Sequence, residues 1–162
     1  MTFEAAIKYR PFWESDQGFS EEAREIRDAV ETVRRHSNRS IILGWRASLI
    51  DQTMEMHDEC SSPGWDGYDA EPLTTESLSS VRRFLESLPD YIQQPEIVPE
   101  PTGGIAFEWD KGRDVIFSVT LNGDRYVYAG ILGDHKHHGE GTLTHELPEP
   151  VEVLLARYFP RT

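Results

Sequence analysis

Apolar residues recur along this chain with two different periods, and the change from one to the other falls near Pro95. From Ser20 to about Asn38, Ala23, Ile26, Val30 and Val33 recur at spacings of three and four, which places them on one helix face. Ser20 can cap that helix, Glu21 and Glu22 suit the positive end of its dipole, and Arg34 and Arg35 suit its last turn. A second helical run extends from Ser40 to about Glu59, with Ile42, Trp45, Leu49 and Met56 on one side and Asp51, Glu55, Asp58 and Glu59 elsewhere. Gly44 weakens it, since an interior glycine costs up to about 1 kcal/mol relative to alanine. A third helix is predicted from a cap at Thr74 or Thr75 through the stripe Leu78, Val81, Phe84, Leu85 and Leu88, closed by Pro89.

Beyond Pro95 the period becomes two. Ile105, Phe107 and Trp109 alternate with Ala106, Glu108 and Asp110, as in a strand with one buried face. Asp110–Arg113 reads as a short hairpin loop, and Val115, Phe117, Val119 and Leu121 form the next strand. Asn122-Gly123 is a strong hairpin signal, because both residue types tolerate positive φ. Tyr126, Tyr128 and Leu132, with Val127 and Ile131 opposite, give a third strand, and Thr142 to Leu147 gives a weaker fourth. Val151, Leu154, Leu155 and Tyr158 complete a short helix with Pro148 or Pro150 in its first turn. Helices first, then an antiparallel meander of three to four strands, then a short C-terminal helix: this segregated order predicts an α+β fold. The expected organisation is one domain over 1–162, with an aromatic docking arm at 1–19, a helical half at 20–89, the sheet at 96–147 and the last helix at 148–160. Pro95, Pro99 and Pro101 read as a stiff connector between the halves.

A chain of 162 residues suits a single domain with its own core. One cysteine, Cys60, cannot form an internal disulfide, which fits a reducing cytoplasm. No apolar run approaches the roughly 20 residues of a membrane span, and the first residues lack the long apolar region of a signal peptide, so a cytoplasmic protein with no membrane partner is expected. The formal charge of −13 is uneven: residues 63–101 hold eight acidic and two basic groups. Charge of this sign repels phosphate backbones, which argues against direct nucleic-acid binding. It is compatible with plain solubility, with a basic protein partner, or with mimicry of nucleic acid.

The acidic stretch opens with Gly64-Trp65-Asp66-Gly67-Tyr68-Asp69-Ala70-Glu71-Pro72, whose composition neither helix nor strand periodicity explains. The glycines permit unusual backbone angles, the aspartates bond to nearby backbone N–H groups, and the two aromatics can wedge the segment against a neighbour. Two readings follow: a structural joint between the helices and the sheet, or a recognition loop with Trp65, Asp66, Tyr68 and Asp69 as binding residues. Trp13, in the aromatic-rich arm, is a further candidate anchor. The spacing of Asp66, Asp69 and Glu71 does not fit a calcium-binding EF-hand loop.

With Pro95, Gly103-Gly104-Ile105 and Glu108-Trp109, this segment resembles a group of small bacterial proteins that carry a Trp-Asp-Gly-Tyr-Gly-Ala type loop before a helix and a Gly-Gly-hydrophobic-x-hydrophobic-Glu-Trp strand. The resemblance covers roughly 63–130 and departs at Asp69, where glycine would be expected. It implies a bacterial, intracellular, single-domain protein and brings no activity, so it assigns no catalytic residue.

A second candidate is Asp134-His135-Lys136-His137-His138-Gly139-Glu140. In a strand, His135 and His137 would share a side and could supply two metal ligands, with His138, Glu140 or His145 to complete the set. Gly133, Gly139 and Gly141 argue instead for an exposed polar loop, and the alternation of His145 with Leu143 and Leu147 argues for a core histidine. Acidic neighbours suppress Cys60 as a nucleophile despite nearby His57. Gly103-Gly104 lacks the Lys and Ser/Thr of a phosphate loop. The sequence thus predicts no cofactor and no catalytic set. Its first expectation is a protein-binding module, of the antitoxin, immunity or defence-accessory kind, compatible with homo-oligomers. A metal-dependent enzyme using His135 and His137, and an acidic nucleic-acid mimic, stand as alternatives.

Overall fold

In a computed structural model, residues 44–162 are described. The aromatic arm with Trp13, the helix from Ser20 and the first residues of the second helical run lie outside the described residues. Gly44, expected inside that run, instead occupies its cap with φ 47°, and helix α1 spans Trp45–Glu59. A backbone angle in that region is open to glycine at little cost, so the residue that weakens a helix interior here marks its start. Arg46, Leu49 and Thr53 face inward from α1.

Helix α2, Thr75–Ser87, begins as predicted. The Thr74 hydroxyl accepts the Ser77 N–H at 3.3 Å, and Glu76 lies in the first turn. Ser77, Ser80, Val81, Phe84 and Leu85 form its buried face. The two serines are tolerated there because each hydroxyl donates to a carbonyl of the sheet loops, Ser77 to Gly103 at 3.1 Å and Ser80 to Gly123.

The sheet is antiparallel with strands in sequence order: β1 Glu96–Pro99, β2 Ile105–Asp110, β3 Val115–Asn122, β4 Arg125–Leu132 and β5 His135–Thr142. The α+β class stands, but the strands number five and not three to four. Both additions lie where glycine and proline had suggested irregular backbone. Glu96–Pro99, part of the expected connector, is an edge strand paired Ile97↔Phe107, and an edge is where a sheet accommodates proline. The histidine segment is the opposite edge, paired Leu132↔His135 through Arg125↔Thr142. The expected fourth strand at 142–147 is thereby corrected: only Thr142 is in a strand, and the rest leads into helix α3, Glu149–Tyr158. His145 is exposed in that loop and is not a core histidine.

Alternation sends Ile105, Phe107 and Trp109, then Phe117, Val119 and Leu121, to one face, where they meet Phe84 and Leu85 of α2 and Val151 and Leu155 of α3. Phe84 and Phe107 pack at 4.7 Å between ring centroids, and Trp109 lies 6.4 Å from Phe159. The Trp109 indole N–H is satisfied by the Gln93 carbonyl at 2.7 Å. The β3–β4 and β4–β5 turns are both Gly-Asp, with φ 58° at Gly123 and 67° at Gly133 and no positive φ at either aspartate. Glycine alone at the first central position is the II′ pattern, so the turn sits one residue beyond the Asn-Gly pair.

Candidate functional site

The segment Gly64–Pro72 folds into a closed loop by its own hydrogen bonds. Gly64 N–H donates to the Ala70 carbonyl at 2.8 Å and Gly67 N–H to the Gly64 carbonyl at 2.9 Å. One Asp66 carboxylate oxygen accepts the N–H groups of Tyr68 at 2.9 Å and Ala70 at 3.3 Å, so this aspartate is engaged in holding the turn. Gly64 and Gly67 have φ 71° and 84°. At Gly64 a side chain would also meet the Tyr68 carbonyl at 2.9 Å, so both freedoms of glycine are used. Among the described residues positive φ is confined to glycines, and Asp69 fits its place without one.

The two aromatics part company here. Trp65 turns inward: it is half-buried against the core and its indole N–H donates to the Glu71 carbonyl at 2.9 Å. Tyr68 turns outward at the tip with 84% of its surface exposed, and Asp69 is exposed beside it. Ala70 and Leu73 are buried and anchor the far side. A rigid loop thus presents one tyrosine and one carboxylate to solvent, on a base fixed by Trp65 and Asp66.

The loop and the segment around Gly103-Gly104 meet in space. Glu71 bridges Thr102 in parallel, with its N–H donating to the Pro101 carbonyl at 2.8 Å. The close approach depends on Gly103, where a Cβ would lie 3.1 Å from the Pro72 carbonyl; at Gly104 a Cβ would lie 2.6 Å from the Leu121 carbonyl on the neighbouring strand. Asn122 donates from its side chain to the Thr102 carbonyl at 3.1 Å, tying the β3–β4 turn to the same end of the sheet. That end carries Asp69, Glu71, Glu76 and Asp124 exposed, with Arg83 paired to Asp124 at 2.9 Å.

The histidines lie elsewhere, on β5. His135 and His137 share the face that bears Leu132 and Tyr126, with their ring centroids 6.4 Å apart. His138, by alternation, is on the opposite face with Lys136 and Glu140. Glu140 pairs there with Arg125 at 3.0 Å. Two imidazoles are therefore brought together, while the proposed third donors are directed away from them or lie in the next loop. No group of three His, Cys, Asp or Glu side chains among the described residues is placed to hold a metal ion. Gly139 and Gly141 suit the strand because the Tyr128 and Tyr126 side chains lie across them, each with its nearest atom 2.6 Å from where a Cβ would stand.

Cys60 is buried at the end of α1, and burial, with Glu59 beside it, pushes its thiol above the ordinary range. This favours the unreactive thiol. Sequence periodicity missed Arg46, which is only 6% exposed. Its guanidinium donates to the Leu85 carbonyl at 2.9 Å, to the Leu88 carbonyl, and to Asp90 at 2.6 Å, closing the C-terminal end of α2. No local signal distinguishes such an arginine from a solvated one. Compared with protein-family models, with curated proteins and with solved structures, the chain finds no match in any of the three.

Proposed function

We propose that this protein is a non-enzymatic module that binds another protein through Tyr68 and the loop that presents it. The observation that supports this reading is the 84% exposure of Tyr68 at the tip of a loop braced by its own backbone and by Asp66. A floppy exposed tyrosine must lose conformational freedom on binding, whereas a preorganised one loses little. Tyrosine is also among the residues that dominate interface energies. The carboxylates around it favour a partner with a basic surface. With the resemblance to small bacterial proteins carried by this loop and the Gly-Gly strand, the reading fits an antitoxin, an immunity protein or an accessory subunit of a defence system.

The test is capture of the co-expressed products of adjacent genes on the full-length chain, followed by affinity measurement with the purified pair. Tyr68→Ala is expected to weaken binding by about 2 kcal/mol, roughly 30-fold, with an unchanged melting temperature. Recovery of the chain alone, or equal affinity of the variant, overturns the proposal.

A further inference from the structure

The two edges of the sheet are unlike. β1 is four residues long, is preceded by Pro95 and ends in Pro99, which limits the hydrogen bonds it can offer to another strand. β5 is eight residues long, contains no proline and pairs with β4 without a bulge along its whole length. Its outer edge is unpaired among the described residues. The phase of that edge follows from the turn. Gly133-Asp134 is a two-residue hairpin turn, so Leu132 and His135 form the hydrogen-bonded pair that closes it, and the odd-numbered residues of β5 bond to β4. The N–H and C=O groups of Lys136, His138 and Glu140 therefore point outward.

We propose that two copies of this chain pair through β5, antiparallel about a two-fold axis at His138, to make one continuous sheet. Only registers that set even positions against even positions match the outward hydrogen-bonding groups, and one of these also matches charge. With His138 opposite His138, Lys136 of each copy lies opposite Glu140 of the other. A shift toward the turn would set Asp134 against Glu140, and a shift away would leave Lys136 opposite Thr142. Within one chain Lys136 stands opposite Ile131 and has no ion-pair partner among the described residues, and in this register it meets the second copy's Glu140, a carboxylate shared with Arg125 of that copy. On the other face the same register sets His135 and His137 opposite Gly141 and Gly139. The imidazoles thus meet positions without side chains of their own, covered by the Tyr128 and Tyr126 rings. Both faces are self-complementary, as an isologous contact requires.

Light scattering on the full chain tests this. The wild type is expected to reach twice the 18.6 kDa of one chain as concentration rises. Lys136→Glu and Glu140→Lys each set like charges opposite one another at both ends of the contact. Each should raise the dimer dissociation constant about tenfold or more, and the double exchange should restore it. Circular dichroism identical to wild type establishes that each variant is folded. As an independent measure, His138→Cys should form a covalent dimer on mild oxidation, because facing hydrogen-bonded residues lie about 5.5 Å apart at Cα, within disulfide reach. Thr144→Cys, beyond the strand, should not. A wild type that stays at one-chain mass, a dimer indifferent to both charge reversals, or a double exchange that fails to restore pairing overturns the proposal.

Discussion

Trp65 and Tyr68 are three positions apart, yet their substitutions should fail in different assays. Trp65 is half-buried and its indole holds the Glu71 carbonyl, so Trp65→Ala should cost about 2 kcal/mol of stability, below the range of fully buried tryptophans, in urea unfolding. Tyr68→Ala should leave stability within about 0.5 kcal/mol, as exposed substitutions do, and act on binding alone. A second contrast concerns Arg46 and Asp90. Removing the guanidinium strands two carbonyls at the buried end of α2, so Arg46→Met should destabilise by about 2–3 kcal/mol. The Asp90 side chain is 88% exposed, so Asp90→Asn should cost less than about 1 kcal/mol. The Cys60 thiol holds its proton to higher pH in the fold than in the unfolded chain, whose value is near 9.0. Its contribution is complete below that value and is lost as pH rises through the folded one. The melting temperature should therefore decline above about pH 9, and Cys60→Ala should flatten the first part of that decline. Tyr91, raised by its hydrogen bond to Glu152, supplies the part at higher pH.

At the level of elements, glycines separate into those that face backbone and those that face a movable ring. A Cβ at Gly104 would stand 2.6 Å from the Leu121 carbonyl, which the β2–β3 ladder holds in place. A Cβ at Gly139 would meet the far end of Tyr128, which can swing aside. Gly104→Ala should accordingly destabilise by about 2–3 kcal/mol and Gly139→Ala by about 1 kcal/mol, read from denaturation midpoints. An equal cost would show that the tyrosine is as fixed as the ladder. The same contrast explains what the sequence disclosed. The stripe of α2 and the alternation of β2 and β3 were legible because each buries one continuous face, Phe84 against Phe107 for example. β5 was not, because its positions on the core side are two histidines and two glycines, and the cover over the glycines comes from Tyr126 and Tyr128 on the neighbouring strand. β1 was hidden by its prolines. The loop at Gly64–Pro72 was recognisable by composition, but its seating was not, because Glu71 and Pro72 rest against the Gly103-Gly104 turn, which is distant in sequence.

For the molecule as a whole, the charge of −13 acts at longer range than any contact of Tyr68. A partner with a basic surface would be drawn in by the summed field before the tyrosine touches it, and that field is cut to about 10 Å by 0.1 M salt. Added salt should therefore slow association while leaving dissociation nearly constant, as stopped-flow mixing over a salt series can measure. Tyr68→Ala should do the reverse, speeding dissociation with little change in association, because it removes a docked side chain and no charge. A nucleic-acid mimic would show a different pair of responses. Affinity would then rest on many carboxylates at once, salt would weaken the complex steeply through both rates, and loss of one neutral ring would hardly register. The two readings therefore separate on a two-by-two comparison of salt and Tyr68→Ala. An association rate that ignores salt would exclude both electrostatic schemes and leave the loop's aromatic contact as the whole basis of recognition.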